Sequence, residues 1–271
     1  MDASHRVRVM TLLTHDRYCD EIAHQVEQLR AVVTSGADLT ATVPTCPDWT
    51  LEMLVLHMGG VLRWSGTLVR TRAQANIPDE DVPRGDGPEK PGDAAALDEW
   101  LAEAGELAVG ALREAGPDEK VWSWAQPQTA GFWARRMAHE ITVHRADATL
   151  AAGLPYEVAP DIAADAIDEW LQIAGWVGQE EGNEAPIGAG ESIHLHATDA
   201  TAELNAEWVI EGTEDGFGGR RGHEKADVAL RGPLTSLLLA FYTRLPLNSP
   251  ELEIIGERKL LEFWLERATF G

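Results

Sequence analysis

Hydrophobic residues recur at intervals of three and four along the first two thirds of the chain, which is the spacing of amphipathic helices. In the first such segment they are Leu12, Tyr18, Ile22, Val26, Leu29 and Val33. The pattern continues until it changes near residue 190. It predicts helices over residues 5–34, 51–70, 94–116, 131–151 and 160–178.

Two proline-containing segments interrupt these helices. Residues 38–50, DLTATVPTCPDWT, predict an ordered loop that Trp49 anchors in the core, with Thr50 as the N-cap of the next helix. Residues 75–93 contain four prolines and three glycines among many charges, which predicts a long surface loop. Such a loop could either cover a site or be mobile.

Beyond a glycine-rich acidic run that ends at residue 191, hydrophobic and polar residues alternate with period two, which is typical of strands. A glycine-rich segment, GTEDGFGGRRGHE, separates two of these strands and predicts a loop. Its GGRRG run could mimic a phosphate-binding loop, but it lacks the strand–loop–helix context with a lysine. The predicted elements are strands 192–198, 206–211, 226–230 and 252–256, and helices 233–242 and 257–270.

This change of period predicts an α+β protein with two domains. A helical domain would cover residues 1–180, and a small α+β domain would cover residues 190–271. With two domains inside one chain, a monomer is a reasonable expectation.

Composition excludes several functions. The chain has 45 acidic and 22 basic residues and a net charge of −23, so it lacks the clustered positive charge that nucleic acids or anionic membranes require. The N-terminus has no apolar signal region, and no run of 18 apolar residues is present.

Cys19 and Cys46 are too few for a disulfide framework, and both are expected to be reduced in a cytoplasm. Cys46 has no nearby basic group to favour a thiolate, which argues against a nucleophile.

The segment WARRMAHEITVHRADA contains the chemistry-bearing pair Glu140 and His144. Residues four apart on a helix differ by about 40° of arc, so these two side chains share one face. His139 and His144 are five apart, about 140° around the helix, so this is not the two-histidine zinc motif HExxH. The pair indicates either a divalent-metal site completed by an earlier helix or a helical Glu–His hydrogen bond. Asp147 either orients a ligand histidine or pairs with Arg135, Arg136 or Arg145, and the ion pair is the preferred interpretation.

His57 is the candidate for the third ligand. It lies within the apolar stripe of the second helix, where a lone histidine is more often a core residue than a ligand. Glu140 and His144 on the later helix point inward and need a third ligand, which favours a metal-binding role for His57. Gly59 and Gly60 directly follow His57 and would allow another element or a ligand to approach closely.

Two motifs together, TCPDWTLEMLVLHMGG and FWARRMAHEITVHRADA, resemble the mycothiol-dependent maleylpyruvate isomerase family over essentially the whole chain. The resemblance implies a DinB-like up-down four-helix bundle followed by a small α+β domain related to sterol-carrier folds. It implies a zinc ion held by His57, Glu140 and His144, and mycothiol as the thiol cosubstrate. It also implies an arginine from the small domain near the metal. Arg244 is the candidate, and it would pair with a substrate carboxylate. Arg63 is a second basic candidate.

The family resemblance leaves two functions open. One is a zinc-dependent enzyme that uses mycothiol for cis–trans isomerisation of a small acidic substrate such as maleylpyruvate, or for S-transfer. The other is a non-catalytic sensor or scaffold of the same fold that binds a metal or a small ligand without turnover. A shared architecture does not fix the reaction.

Overall fold

The computed structural model describes residues 12–177 and 186–268, and these divide into two compact units. The N-terminal unit comprises Leu13–Tyr156, and the C-terminal unit begins at Glu157. A helical unit followed by an α+β unit confirms the predicted fold class. Among the helices of the described residues, none combines the length and the apolar composition that crossing a bilayer requires.

Four long helices form the N-terminal unit. They begin at well-formed caps, since the side chain of the preceding Thr14, Thr50, Asp93 or Thr129 accepts a backbone N–H of the first turn. Each of α1 and α2 contacts both α3 and α4, so the four helices enclose a shared core. The helices are α1 (His15–Thr34), α2 (Leu51–Thr71), α3 (Ala94–Ala115) and α4 (Ala130–Ala152). The part of the first predicted helix before residue 12 lies outside the described residues.

The segment before α2 is a small hairpin rather than the predicted loop. Strand β1 (Thr42–Val43) pairs antiparallel with β2 (Cys46–Thr50), and Val43 is fully buried. Contacts of β1 with α4 and of β2 with α2 attach the hairpin to the helices. The hairpin therefore fixes the chain immediately before α2 against α4, the helix that contains Glu140 and His144.

Gly59 allows α2 to approach α3 closely. A Cβ atom at this position would lie 2.0 Å from Cζ3 of Trp100, a fully buried side chain of α3. The predicted close approach at Gly59 is therefore made by a helix rather than by a ligand.

We expect Gly59→Ala to destabilise the N-terminal unit by about 1–3 kcal/mol, because the added methyl group overpacks the α2–α3 interface. Gly110→Ala is the matched control, since Gly110 is an exposed position of α3 with no atom within 4 Å of an added Cβ. That substitution should be neutral or stabilising by up to about 1 kcal/mol. Urea denaturation followed by circular dichroism measures both, and equal effects of the two variants would contradict the packing argument.

In the described residues from Glu157 onward, the C-terminal unit contains a five-stranded sheet and three helices. The strand order is β5-β4-β3-β6-β7, with β3 and β6 parallel and the other neighbours antiparallel. Trp208, Phe241 and Trp264 form part of its buried core. The elements are α5 (Pro160–Val177), β3 (Ser192–Ala197), β4 (Glu207–Thr213), β5 (Gly216–Arg221), β6 (Val228–Gly232), α6 (Leu234–Phe241), β7 (Glu253–Gly256) and α7 (Arg258–Arg267).

Strand β5 occupies the glycine-rich segment that was predicted to be a loop. Its GGRR run pairs in regular register with β4, which agrees with the sequence argument against a phosphate-binding loop. Gly219 faces α5, where an added Cβ would lie 3.1 Å from Leu171. The glycine thus allows a helix to pack closely over the strand.

Helix α5 packs within the C-terminal unit, where it contacts β5 and α6. Its Asp168 accepts hydrogen bonds from Trp208 Nε1 (2.6 Å) and from Arg221 Nε (2.8 Å) and Nη2 (2.7 Å). The division between the units therefore lies after Tyr156, earlier along the chain than the boundary predicted between residues 180 and 190.

Candidate metal centre

His57 on α2 and Glu140 and His144 on α4 converge in the N-terminal unit. Glu140 Oε1 lies 3.5 Å from His57 Nε2 and 3.4 Å from His144 Nε2. The two imidazole rings are edge to face, with centroids 5.1 Å apart. One potential ligand atom from each residue lies within 4.8 Å of the others, a spacing that a single metal ion could bridge. That these residues bind a metal remains a prediction.

The three side chains are only partly enclosed. The exposed fractions of their side chains are 31% for His57, 27% for Glu140 and 14% for His144. A ligand from solvent can therefore reach the cluster. His139, by contrast, is fully buried and packs edge to face on Tyr18, outside this cluster, as its spacing from His144 predicted.

The electrostatic surroundings favour an ionised carboxylate and a charged imidazole. Burial opposes ionisation of Glu140, but hydrogen bonds with His144 and His57 and the nearby Arg136 hold its pKa well below the usual range. Burial likewise opposes protonation of His144, yet its hydrogen bonds to Asp147 and Glu140 raise its pKa to about 9. A metal at this position must displace the proton of His144, so its affinity should fall as the pH is lowered.

Asp147 orients His144. Its Oδ2 accepts a hydrogen bond from His144 Nδ1 at 2.9 Å, and its Oδ1 accepts one from Thr45 Oγ1 at 2.5 Å. With Nδ1 engaged, the Nε2 of His144 faces Glu140. The structure thus shows the orienting contact, which is one of the two interpretations of Asp147 that the sequence left open. Thr45, between the hairpin strands, is a partner that the sequence did not indicate.

We expect Asp147→Asn to weaken metal binding at this centre by about 10–100-fold, because the substitution removes the carboxylate that fixes the imidazole. The amide has the same shape, so the fold should be retained. Competition between the protein and a zinc chelator measures the affinity. Unchanged affinity would show that the contact does not orient a ligand. Thr45→Val, which removes only the next hydrogen bond, should have a smaller effect.

Trp49 packs on the candidate ligands rather than in the core. Its ring centroid lies 4.9 Å from that of His57 and 6.4 Å from that of His144, and the residue is partly exposed. The prediction that Trp49 anchors the loop in the core was therefore wrong. Instead, the indole restricts both imidazoles and shields one side of the cluster from water.

A cavity of about 470 Å³ opens beside His57, a volume within the usual range for small-molecule sites. Four of its lining residues belong to the proline-rich loop 75–93, so this loop forms a wall of the cavity. Asp79 and Asp86 supply two carboxylates that can accept hydrogen bonds from a polar ligand. The lining residues are Leu56, His57, Gly60, Val61, Trp64, Asp79, Val82, Gly85 and Asp86.

The two candidate arginines differ. Arg63 is buried and donates to the Trp100 carbonyl (3.0 Å) and to Glu103 (2.9 Å), so it is engaged with α3. Arg244 follows α6 in the C-terminal unit, where its Nη1 donates to the carbonyl of Tyr242 at 2.7 Å. The pairing of Arg244 with a substrate carboxylate remains a prediction.

The cysteines have no part in the cluster of ligand atoms. Cys19 is buried in α1, and this burial raises the pKa of its thiol to about 11, which makes it unreactive at neutral pH. Cys46 is half-buried at the start of β2. Neither cysteine is paired in a disulfide.

Both units match sequence models of known domains. Residues 19–149 match the mycothiol maleylpyruvate isomerase N-terminal domain, and residues 161–263 match the C-terminal domain of the same enzyme. The chain belongs to the mycothiol maleylpyruvate isomerase family. Both matched domains are those of an enzyme, so the prediction that this chain is an enzyme is confirmed.

Solved structures agree with this family in fold. The crystal structure of the mycothiol-dependent maleylpyruvate isomerase is 14% identical, with a TM-score of 0.58, and the match covers 92% of this chain and 97% of that one. A histidine-to-alanine variant of the same enzyme matches at 15% identity and a TM-score of 0.59, with the same coverage. Among curated protein sequences, none matches the chain significantly.

Proposed function

We propose that this family member binds a zinc ion through His57, Glu140 and His144 and uses it to activate mycothiol. The observation that supports the proposal is the convergence of two imidazoles and one carboxylate beside an open cavity. Two nitrogen ligands and one oxygen ligand suit zinc, and three protein ligands with a free position are typical of catalytic rather than structural sites. When bound, zinc lowers the pKa of a coordinated thiol and holds it as the thiolate.

The chain's own residues would prepare this site for the thiol. Asp147 holds His144 in one orientation, and Arg136 Nη2, 3.2 Å from Glu140 Oε2, helps to keep that carboxylate ionised. Trp49 covers one side of the imidazoles. The cavity beside His57 offers room for the rest of the thiol molecule, with Asp79 and Asp86 as acceptors for its polar groups.

The reaction that we propose is cis–trans isomerisation of a small unsaturated acid such as maleylpyruvate. The thiolate sulfur adds to one carbon of the cis double bond, and the π electron pair moves onto the conjugated carbonyl as an enolate. The former double bond is then a single bond about which the intermediate rotates, and the enolate later returns the electron pair to expel the thiolate. Elimination of the same thiolate restores the double bond in the trans form, so the thiol is returned unchanged. In S-transfer, by contrast, the thiolate displaces a leaving group and remains on the product.

Turnover measurements with mycothiol test this proposal and separate it from the alternatives. Isomerisation predicts many product molecules per thiol, with no thiol consumed. S-transfer predicts one thiol consumed per product, and it would be detected with a panel of electrophiles. A sensor or scaffold predicts no turnover with either class, together with stabilisation of the protein by another ligand. A chelator should abolish either activity if the metal is required, and activity that survives complete metal removal would contradict the proposal.

Arg244 is the proposed partner of the substrate carboxylate. Arg244→Ala should lower kcat/KM for the acidic substrate by about 10–100-fold, chiefly through KM, because one charge-assisted hydrogen-bonded pair is lost. Zinc content should not change. Arg258→Ala is the control, since Arg258 forms an exposed ion pair with Glu262 on α7. If both variants retain wild-type kcat/KM, the role given to Arg244 is wrong.

A further inference from the structure

A second group of metal-binding side chains lies in the C-terminal unit, where the sheet register brings it together. His194 and His196 are two residues apart on β3, so their side chains project from the same face. The partner of His196 in the antiparallel register is Glu207, the first residue of β4. Gly222 donates its N–H to the carbonyl of Glu207, which brings the next residue, His223, to the same edge.

All three imidazoles approach one carboxylate oxygen. Glu207 Oε2 lies 3.0 Å from His194 Nε2, 2.6 Å from His196 Nδ1 and 2.6 Å from His223 Nδ1. The three ring centroids are 5.3–5.8 Å apart, and one potential ligand atom from each of the four residues lies within 4.8 Å of the others.

This arrangement exceeds the hydrogen-bonding capacity of one oxygen. A carboxylate oxygen offers about two lone pairs, yet three ring nitrogens surround Oε2 of Glu207. A cation at the centre of the group would instead bind one lone pair from each ring nitrogen and one from the carboxylate. The convergence is therefore better explained by metal ligation than by hydrogen bonding alone.

The exposure of the four side chains increases from His194, on the sheet, to His223, after β5. His194 is buried, the His196 and Glu207 side chains are 22% and 21% exposed, and the His223 side chain is 74% exposed. The strand residues are thus held in place by the sheet, and His223 closes the group from the solvent side. A metal ion can enter from that side without opening the core.

We propose that His194, His196, Glu207 and His223 form a second divalent-metal site. Imidazole-rich sites prefer zinc and neighbouring transition metals over magnesium or calcium, and zinc fits three nitrogens and one oxygen in tetrahedral coordination. With four protein ligands, no position remains for a substrate, so this site is structural. Its metal links β3, β4 and the segment after β5, and it stabilises the C-terminal unit independently of the chemistry at His57.

The proposal predicts two zinc ions per chain, which metal analysis of the untagged full-length protein can count. After equilibration with zinc and removal of the excess, His196→Ala/His223→Ala should retain one zinc, as should His57→Ala/His144→Ala. His24→Ala, which changes an exposed histidine of α1, should retain two. If the His196/His223 variant binds as much zinc as the wild type, the second site does not exist. If only the His57/His144 variant matches the wild type, the proposed function fails while the second site stands.

A thermal-shift measurement in the His57→Ala/His144→Ala background isolates the second site. Zinc should raise the melting temperature of this variant, and a chelator should reverse the increase. Adding His196→Ala and Glu207→Gln should abolish the zinc response, because only the imidazoles of His194 and His223 would remain, and the zinc-free protein should stay folded, since both changed side chains are partly exposed. A zinc response that persists in this protein, or no response in the parent variant, would overturn the proposal.

Discussion

Replacing His57 with alanine is expected to remove one zinc ion per chain and to reduce mycothiol-dependent turnover by about 100-fold or more. Only two protein ligands, Glu140 and His144, would remain at the centre. The magnitude follows from the several kcal/mol that a metal contributes to the stabilisation of developing charge. Metal analysis and steady-state kinetics of the same preparation measure the two effects together.

The loss should occur without unfolding. The His57 side chain is 31% exposed, lines the open cavity and contacts the rings of Trp49 and His144, so its removal leaves no large cavity in the core. His24→Ala is the control for histidine loss as such, and it should keep both zinc and activity. If the His57→Ala protein is folded, contains wild-type zinc and turns over normally, His57 is not a ligand.

Replacing Asp168 with alanine is expected to destabilise the C-terminal unit by about 3 kcal/mol or more. The substitution leaves the guanidinium of Arg221 and the indole N–H of Trp208 without their shared acceptor. The Asp168 and Arg221 side chains are only 6% and 19% exposed, and Arg221 stacks on the Trp208 ring at 4.4 Å. Removing one partner of a buried pair typically costs about 3–5 kcal/mol, and we expect the lower end because Arg221 keeps the carbonyls of Leu204 and Asn205 as acceptors.

Hydrogen exchange of the β4 and β5 amides measures this effect within the unit concerned. Protection of these amides should fall in Asp168→Ala. It should not change in Glu203→Ala, which removes an exposed carboxylate and should shift stability by no more than about 0.5 kcal/mol. A loss below about 1 kcal/mol in Asp168→Ala would show that α5 is not fixed to the sheet through this side chain.

The helices could be predicted from the sequence because their local signals agree. Regular apolar spacing coincides with a capping residue at Thr50 and Asp93, and the observed helices begin directly after these caps. The elements that were missed depend on tertiary contacts. Strand β5 contains glycines that a strand pattern disfavours, and only its pairing with β4 and the packing of Leu171 explain them.

The candidate site was predictable to the extent that it depends on spacing. Glu140 and His144 share a face because they are four residues apart on one helix. The third member, His57, comes from another helix, so spacing alone left it open between a core residue and a ligand, and the inward pair and the family resemblance favoured the ligand. Thr45 and Trp49 could not be placed, because the hairpin that brings them to Asp147 and the imidazoles resembles a loop in the sequence.

The second group of histidines shows a similar limit. The alternation around His194 and His196 predicts the strand correctly, and it places both imidazoles on one face. The other two members, Glu207 and His223, join them only through the register of β4 and the end of β5. The available sequence signal for this group was an HxH pair in an alternating strand, followed by a further histidine in a glycine-rich segment.

X-ray absorption at the zinc edge most directly tests whether the His57 centre binds a metal that holds the thiol. The His196→Ala/His223→Ala protein would be used, so that only the centre at His57, Glu140 and His144 contributes. Without thiol, the account predicts a first shell of nitrogen and oxygen alone; with mycothiol, it predicts one sulfur at about 2.3 Å from zinc. A shell that contains no sulfur at saturating mycothiol, or no zinc bound at all, would contradict it.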